Sequence, residues 1–342
     1  YTALFESLAS KLDPYSRYSG AGEARESRAS RDGFGGIGVT IIPHQEGVEV
    51  TDVTAGLPAE KAGLNRGDLI LAIDGEKVAG LDLQAAAVML QGPVGETVKL
   101  AVRGKGKTSS GTLQVERTHI TPQTVFYRKE GSFAVVEVTS FNAETASSIA
   151  QAVYRARHDL GDTMRGIILD LRNNPGGLLH QSVRVADLFI DSGRIISTRG
   201  RHRDSLQIFD ATPGDIANGL PIAVLLNGYS ASAAEILAAA LQDRGRAVVI
   251  GATSYGKGTV QTVLRMPNDG ELILTWARLH APSGYSMHGL GVVPTICTAG
   301  AGRNVDELVR TALTADAPWK RMLSIRRNFA SASAEERKEV QD

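Results

Sequence analysis

The stretch Gly166-Ile167-Ile168-Leu169-Asp170-Leu171 decides the fold class. It is apolar apart from one aspartate, and a strand that is apolar on both faces is typical of a buried parallel sheet. Two more apolar runs follow at residues 222–226 and 247–250, and patterns with helical spacing lie between the runs at 182–190 and 233–242. Strands that alternate with helices in this way predict right-handed βαβ units and therefore an α/β sheet.

A smaller region of mixed strands and helices precedes this sheet. Apolar residues alternate and cluster over 36–53 with a polar break at 44–47, which predicts a hairpin. A short helix, a strand, a second helix and a last strand follow this hairpin along the chain. We therefore expect a small domain over residues 31–118 and a larger core domain over residues 119–300.

Both ends of the chain carry helical patterns. Apolar residues recur at helical spacing over 1–12, whereas residues 20–33 lack large apolar side chains and predict an exposed connection. Beyond Gly300 the pattern is again that of a charged helix. We expect an N-terminal helical segment over residues 1–30 and a C-terminal helical segment over residues 301–342.

The composition excludes several classes of protein. The 342 residues carry 37 basic and 37 acidic side chains, so the formal charge is zero and a nucleic-acid partner is not expected. The single cysteine, Cys297, can form neither an intramolecular disulfide nor a thiolate metal cluster. No apolar run approaches the roughly 18 residues of a membrane span. The chain begins at Tyr1 with no signal peptide, which we interpret as a trimmed or mature form.

Two glycine-rich stretches have spacings close to those of phosphate-binding loops, but their context does not fit. Residues 33–38 match G-x-G-x-x-G, yet a strand pattern follows them where a dinucleotide fingerprint opens a helix. Residues 251–258 nearly match a P-loop, but position 258 is glycine where that loop needs a hydroxyl, and a strand pattern follows again. We interpret the first stretch as a loop whose backbone N–H groups receive a carboxylate.

Serine and lysine remain as candidate catalytic residues. Ser230 and Ser232 lie at a strand-to-helix junction, where the helix N-terminus suits a developing oxyanion, and either serine could be the one that reacts. Gly176 and Gly177, which follow a proline, lie at a second such junction with unshielded N–H groups. No histidine has metal-ligand spacing and no serine stands in G-x-S-x-G. A lysine is therefore the favoured base, and Lys257 is flanked by two glycines.

Five segments together resemble one family, the carboxyl-terminal processing peptidases or tail-specific proteases, which are serine proteases with a serine-lysine dyad and an embedded PDZ domain. The segments are residues 12–16, 34–38, 171–177, 230–232 and 256–261. The resemblance covers nearly the whole chain. It implies an α/β (α+β) fold with a ClpP/crotonase-like protease core, a PDZ domain inserted over residues 31–118, and helical N- and C-terminal segments.

The resemblance also implies roles for individual residues. Ser232 corresponds to the family's nucleophile, Lys257 to its general base, and Gln261 to the glutamine that orients the lysine. Asp243 matches an acidic position of the family, but it lies eleven residues further along the helix than Ser232, about 16 Å at 1.5 Å per residue. We therefore expect Asp243 to be structural. The sequence departs from the common pattern at Tyr229 and Ala234, and neither position belongs to the dyad.

Two binding sites complete this interpretation. The oxyanion hole is expected to consist of backbone N–H groups from Gly176, Gly177 and Ala233. The PDZ domain is expected to capture the free C-terminus of a substrate by strand addition. The residues that would receive it are Phe34, Gly35, Gly36, Ile37, Gly38 and Val39. Ile37 and Val39, with the helix over residues 81–90, would line an apolar pocket for the last side chain of the substrate.

The function that follows is that of a serine endopeptidase acting through an acyl-enzyme, with no cofactor and no metal. The expected partners are proteins or peptides with apolar C-termini, and no nucleic acid. An activator or adaptor protein and a homo-oligomer stay open. The family implies a place in the bacterial cell envelope, on the periplasmic side. The alternative is a catalytically silent or resting PDZ scaffold that binds C-termini without cutting, and nucleotide hydrolysis is a distant third.

Overall fold

A computed structural model describes residues 2–299 and 304–314, with 320–321, 324–325 and the single residues 328, 333 and 335. The chain divides into two compact units. One comprises Tyr1–Ser27 and Gln123–Asp342, and the other comprises Arg28–Pro122. We call them the core unit and the small unit.

The described residues contain α-helices and two short 3₁₀ turns. The α-helices are α1 (Thr2–Ala9), α2 (Ala21–Asp32), α3 (Pro58–Lys61), α4 (Leu83–Leu90), α5 (Thr145–Leu160), α6 (Leu179–Asp187), α7 (Ala233–Asp243) and α8 (Val305–Leu313). The 3₁₀ turns are Gly161–Thr163 and Arg203–Ser205. Most of the predicted C-terminal helical segment over residues 301–342, apart from α8, lies outside the described residues.

Strands account for most of the remaining regular structure. They are β1 (Arg17–Ser19), β2 (Phe34–Gly36), β3 (Val39–His44), β4 (Gly47–Val53), β5 (Leu69–Ile73), β6 (Glu76–Lys77), β7 (Thr97–Arg103), β8 (Ser110–Glu116), β9 (Thr118–Ile120), β10 (Val125–Glu130), β11 (Phe133–Val138), β12 (Gly166–Asp170), β13 (Arg194–Arg199), β14 (Gln207–Asp210), β15 (Ile222–Leu226), β16 (Ala247–Gly251), β17 (Thr259–Arg265), β18 (Glu271–His280) and β19 (Ile296–Cys297).

The predicted α/β sheet is confirmed in the core unit. Six strands lie in the order β10-β11-β12-β15-β16-β19, and all neighbours from β11 to β19 are parallel. The apolar stretch at 166–171 supplies β12, whose Ile167 pairs with Ala134 on one side and Ile222 on the other. Every residue of α7 from 233 to 242 is buried, and all but Glu235 and Gln242 are apolar, as is typical of a helix that is covered on every side. The carboxyl ends of these strands therefore lead into loops at one edge of a rigid sheet.

A second sheet in the core unit is antiparallel. Its long strand β18 pairs with β17 on one side and with β1 and β13 on the other, and β14 pairs with β13. Strand β1 comes from the first twenty residues of the chain, so the N-terminal segment is part of the core unit. This sheet contains β17, which begins two residues after Lys257, so it fixes the position of the chain that follows the lysine.

The small unit is an antiparallel sheet with two helices. The strand order is β3-β4-β5-β7-β8, with β6 paired to β5, and β2 and β9 form a separate pair. A cluster of buried apolar side chains fills it, including Val50, Ile70, Val98 and Leu100. Among the described strands, β3 pairs with β4 alone, so one side of β3 is a sheet edge.

The prediction of an exposed connection over residues 20–33 is wrong, because helix α2 occupies this segment. Ala24 is the single buried residue of this helix, so no apolar stripe exists for a periodicity search to find. Its alanine, glutamate and arginine residues are good helix formers, and local propensity is enough to explain the helix. No helix in the described part of the chain is long and apolar enough to cross a membrane.

Candidate active site

Ser232 lies at the junction between β15 and α7, where it is the N-cap residue of the helix. Its backbone has φ 55° and ψ −114°. A positive φ is rare and costly for a residue with a side chain, and such strain is found where a structure holds a functional group in place. The N-terminus of α7 directs its positive dipole toward the Ser232 side chain.

Ser230 is fully buried, whereas Ser232 is partly exposed. The Ser230 hydroxyl donates to the carbonyl oxygen of Leu171 at 2.8 Å and accepts from the backbone N–H of Asn227 at 3.0 Å. These bonds tie the loop after β15 to the loop after β12. Of the two serines, Ser230 thus has a structural role and Ser232 is the one with an accessible position.

The loop after β12 lies against the Ser232 loop. The backbone N–H of Ala231 donates to Asn174 O at 2.9 Å. The backbone N–H of Asn173 donates to Asn227 Oδ1 at 3.0 Å, and Asn227 Nδ2 donates to Asn173 Oδ1 at 2.8 Å. A Cβ added at Gly176, which has φ +100°, would lie 2.7 Å from the Cβ of Ser232. Only glycine fits this approach, because both the conformation and the space exclude a side chain.

The three expected oxyanion donors differ in their hydrogen-bond partners. The Gly176 N–H already donates to the Asn174 side-chain oxygen at 2.8 Å. Among residues 2–299, no hydrogen bond engages the N–H of Gly177 or of Ala233. These two N–H groups therefore stay available to an oxyanion, while Gly176 contributes the close approach to Ser232.

Glu235 is the residue whose role the sequence reasoning missed. It lies one turn into α7, is fully buried, and its carboxylate accepts four hydrogen bonds. Oε2 accepts from the backbone N–H of Ser232 at 2.7 Å and from that of Lys257 at 2.9 Å. Oε1 accepts from the Ser254 hydroxyl at 2.6 Å and from the Gly256 N–H at 2.7 Å. One buried carboxylate thus joins the serine segment to the lysine segment.

The ionisation of Glu235 is set by two opposing effects. Burial raises the pKa of this carboxyl above its usual range, while the four hydrogen bonds lower it. Three of the four donors are backbone N–H groups, which can donate but cannot accept. These donors therefore fit the ionised carboxylate of Glu235, whose two oxygens accept hydrogen bonds and donate none. The signal available in the sequence was a glutamate at the third position of a helix that follows a serine.

Lys257 is partly buried between two glycines that approach another loop closely. A Cβ at Gly258 would lie 2.2 Å from His288 N, and one at Gly256 would lie 3.1 Å from Gly291 N. The two flanking glycines therefore stand at a close approach to the backbone of residues 288–291. Burial lowers the pKa of Lys257, the charge of Arg17 lowers it further, and Glu235 opposes both. A lysine with a lowered pKa is a better general base than an ordinary one.

Gln261 lies on β17, where the register shifts between Val260 and Gln261. Such a register shift marks a β-bulge or irregularity, which locally redirects a strand. The Gln261 amide donates to the Thr259 hydroxyl at 2.8 Å. Within the described residues, no hydrogen bond joins the Ser232 hydroxyl to the Lys257 amine or the Gln261 side chain to that amine.

Asp243, at the end of α7, accepts hydrogen bonds from the backbone N–H and the hydroxyl of Ser283. These contacts anchor a loop of the core unit, as the expected structural role requires. No group of three or more His, Cys, Asp or Glu side chains that could hold a metal ion is found among the described residues.

The expected carboxylate-binding loop lies in the small unit. Phe34, Gly35 and Gly36 form β2 and pair with β9. Ile37, which is expected to line the apolar pocket for the last substrate side chain, is 2% exposed and belongs to the core of this unit. Its neighbour Val39 is partly buried and begins the edge strand β3.

Neither glycine-rich stretch opens a helix. Residues 33–38 lead into β3, and residues 251–258 lead into β17. A phosphate-binding loop needs a helix N-terminus at this point. The structure therefore agrees with the rejection of both nucleotide-binding interpretations.

Comparison with known proteins identifies the family. The profile of peptidase family S41 matches residues 132–298, and a PDZ domain profile matches residues 49–104. A carboxy-terminal-processing protease of Bartonella bacilliformis is 40% identical over 287 residues, which cover 83% of this chain and 66% of that protein. The chain belongs to peptidase family S41.

Two further proteases are similar to this chain. A protein of Staphylococcus epidermidis described as a "Probable CtpA-like serine protease" is 34% identical over 288 residues, or 83% of this chain and 57% of that protein. The solved structure of the photosystem II D1 C-terminal processing protease matches with a TM-score of 0.51 and 28% identity, covering 93% of this chain and 87% of that chain. The chain thus spans somewhat less than two thirds of the length of the curated relatives named here.

Proposed function

We propose that this chain is a serine endopeptidase in which Ser232 is the nucleophile and Lys257 the general base, and that its PDZ domain captures substrate C-termini. The observation that carries the proposal is the shared Oε2 atom of Glu235. It accepts one hydrogen bond from each segment, so the backbone nitrogens of Ser232 and Lys257 lie no farther apart than two hydrogen-bond lengths. Side chains on such close backbones can reach each other for proton transfer.

The mechanism balances with these groups alone. The neutral Lys257 amine takes the proton of the Ser232 hydroxyl as Oγ attacks the carbonyl carbon of the scissile peptide. The N–H groups of Gly177 and Ala233 stabilise the oxyanion of the tetrahedral intermediate. The Lys257 ammonium then protonates the leaving amine, and an acyl-enzyme remains. Lys257 next takes a proton from water as the water oxygen attacks the ester carbonyl, and it returns that proton to Ser232 Oγ as the ester C–O bond breaks.

Substrate capture rests on the edge strand of the small unit. Strand β3 has one free side among the described strands, and an extended peptide can add to such an edge by main-chain hydrogen bonds. The N–H groups at the start of β3 would receive the terminal carboxylate. Binding of the C-terminus raises the effective concentration of the rest of the substrate near the protease. The expected substrates are proteins with apolar C-termini, on the periplasmic side of the bacterial envelope.

A second candidate is a resting or catalytically silent PDZ scaffold. One observation favours it: no hydrogen bond in the described residues joins the Ser232 hydroxyl to the Lys257 amine. Catalytic hydrogen bonds are often long or poorly aligned without substrate, so this geometry alone does not remove the endopeptidase. An activator or adaptor protein, or a second copy of the chain, would be the agent that aligns a resting dyad.

The test is cleavage of an unfolded polypeptide that ends in apolar residues, by the wild type, Ser232→Ala and Lys257→Ala. We expect Ser232→Ala to lower the rate by about 10⁴-fold or more and Lys257→Ala by about 10² to 10⁴-fold. Because the amine must be neutral, the rate should rise with pH through the pKa of Lys257, which lies below that of an ordinary lysine. Ser10→Ala, an exposed serine on the N-terminal segment, is the matched control.

The same polypeptide with an amidated C-terminus tests whether binding of the free C-terminus by the PDZ domain promotes cleavage. Slower cleavage of the amide, with an increased KM and a similar kcat, is expected if the PDZ domain binds a free carboxylate. Cleavage that survives Ser232→Ala would show that another residue is the nucleophile. Tight binding of the free C-terminus by a wild type that cuts nothing would favour the scaffold.

A further inference from the structure

The D-P-Y-S segment at residues 13–16 resembles the family's sequence, but the proposed mechanism assigns it no role. The Asp13 carboxylate organises this turn. It accepts from the backbone N–H groups of Tyr15 at 2.8 Å and Ser16 at 3.0 Å, and from the hydroxyl of Ser16. The turn is therefore rigid enough to hold one side chain in a defined position.

The turn is also hydrogen-bonded to β18, the strand that pairs with β17. The Thr275 hydroxyl of β18 donates to Asp13 at 2.7 Å, and the Thr275 N–H donates to the Ser16 hydroxyl at 3.0 Å. Strand β1 then continues the pairing with β18. These bonds bring the start of the chain next to the segment of Lys257, although the two are far apart in sequence.

The turn places the Tyr15 ring next to the active-site lysine. Its centroid lies 5.8 Å from the Lys257 Nζ atom. The His288 ring meets the Tyr15 ring at 5.8 Å and an interplanar angle of 73°. Tyr15 is partly buried, and burial raises the pKa of its hydroxyl. The ring thus covers one side of the lysine amine and is itself supported by a neighbouring ring.

Two effects of this segment favour the neutral amine. The ring lies over one side of Nζ, with its centroid 5.8 Å away, and the guanidinium of Arg17, two residues further on, adds a like charge. Both agree with the lowered pKa of Lys257, for which burial is the largest cause and Arg17 the next. Attraction between the ring and an ammonium acts the other way. We take burial to be the larger of the two effects, and the titration of Lys257 tests this.

We propose that Tyr15 is a positioning residue of the active site, whose ring shields the Lys257 amine and holds it ready to accept the Ser232 proton. This inference rests on the proposed function, because it gives the N-terminal turn a part in the chemistry of the same dyad. It also makes residues 13–17 an integral element of the protease.

Other charged and titratable groups face this amine and ring from several elements. They are Asp13 and Arg17 from the N-terminal segment, Glu235 from α7, Tyr255 from the loop before Lys257, His288 from the loop after β18, and Arg278, which acts on His288. A pH profile of activity therefore contains more than one titration. The state of Lys257 has to be measured directly.

The experiment measures the reactivity of Lys257 toward acetic anhydride against pH, by mass spectrometry, in a Ser232→Ala background. In parallel, kcat is measured against pH with Ser232 intact. Tyr15→Leu is expected to move the midpoint of Lys257 reactivity upward by about one pH unit, which corresponds to about a tenfold lower fraction of neutral amine at neutral pH. Its kcat should fall by a similar factor at neutral pH and recover at alkaline pH. Tyr15→Phe, which keeps the ring, should keep the midpoint.

Tyr18→Leu is the matched control, because Tyr18 lies on the same segment but stacks on Phe5 and accepts a hydrogen bond from Asn268. It should leave the Lys257 midpoint in place. Arg17→Gln, at an exposed position, is the second test variant and should move the midpoint upward by a smaller amount, less so at high salt. It keeps the proposal testable if Tyr15→Leu does not fold.

The outcomes separate the two proposals. A folded Tyr15→Leu variant whose Lys257 midpoint stays in place or moves downward would overturn the inference about Tyr15. An upward shift in a protein that shows no Ser232-dependent cleavage would support the shielding of the amine while contradicting the endopeptidase. An upward shift together with a kcat that recovers at alkaline pH supports both.

Discussion

The nucleophile segment, residues 230–235, and the base segment, residues 254–261, meet at Glu235 but are held by different parts of the chain. The nucleophile segment is bonded to the neighbouring loop of the same sheet, through Ser230 to Leu171 and Ala231 to Asn174. The backbone N–H of Lys257, in the base segment, donates to the Glu235 carboxylate, while the Lys257 side chain lies against the Tyr15 ring.

The difference shows two ways of placing a reactive side chain. Adjacent parallel strands end at one edge, so the loops after β12 and β15 are brought together by the sheet itself. The strained backbone of Ser232 then fixes where the short side chain points. A lysine has a long and flexible side chain, so a fixed backbone is not enough and packing has to restrain it. The N-terminal turn supplies that packing.

Glu235→Ala should have the largest effect, because it removes the group that the two segments share. We expect kcat to fall by about 100-fold or more, since misplacement by about 1 Å costs that much. Four donors lose their acceptor, and each buried unsatisfied donor costs about 1–3 kcal/mol before relaxation. Cleavage kinetics and urea unfolding measure both effects.

Glu144→Ala is the control for that variant, because Glu144 is an exposed glutamate at the start of another helix, α5. It should change kcat little. Normal cleavage by a folded Glu235→Ala variant would break the comparison, since the two segments would then be placed independently of this carboxylate.

Gln261→Ala should have an intermediate effect confined to the base segment. The amide is held by Thr259, and its oxygen is the atom that can orient a lysine ammonium. We expect kcat to fall by about tenfold with little change in KM, as for a group that improves a proton transfer without making it. Gln207→Ala, on the edge strand β14, is the matched control. An effect as large as that of Lys257→Ala would make Gln261 a direct participant in the proton transfer.

Ser230→Ala should have the smallest effect on cleavage. It removes the hydroxyl that joins Leu171 to Asn227, and we expect the free energy of unfolding to fall by about 1–3 kcal/mol. Cleavage by the folded variant should drop by less than about tenfold, because the serine that reacts is untouched. Thermal unfolding measures the loss of stability, and the cleavage rate at temperatures well below the unfolding midpoint measures the effect on activity separately. Complete loss of cleavage in a folded Ser230→Ala protein would instead point to Ser230 as the nucleophile.

Much of the core unit is predictable from local patterns. The apolar runs at 166–171, 222–226 and 247–250 became neighbouring parallel strands, because side chains that are apolar on both faces need cover on both sides. The segment at 20–33 was misassigned for the opposite reason. Helix α2 buries only Ala24, so propensity formed a helix that a search for apolar periodicity does not detect.

The candidate site was predictable in its chemistry and less so in its contacts. The sequence marks Lys257 by its two flanking glycines, and the structure shows that Gly258 closely approaches the backbone of His288. The Gly176 N–H, one of the three expected oxyanion donors, donates to the Asn174 side chain in the structure. The Asn174 side-chain oxygen can accept a hydrogen bond from any of several nearby N–H groups. Only the folded loop selects the N–H of Gly176.

The amino-acid sequence by itself determined the α/β core, the two units of different character and the residue types that can react. Periodicity, glycines and strand-to-helix junctions are local properties, and local sequence records them. Only the tertiary structure decided which groups meet: Glu235 with both reactive segments, and the Tyr15 ring with the Lys257 amine. Those contacts join residues far apart along the chain, and their geometry depends on the packing of whole sheets and loops, which no local pattern encodes.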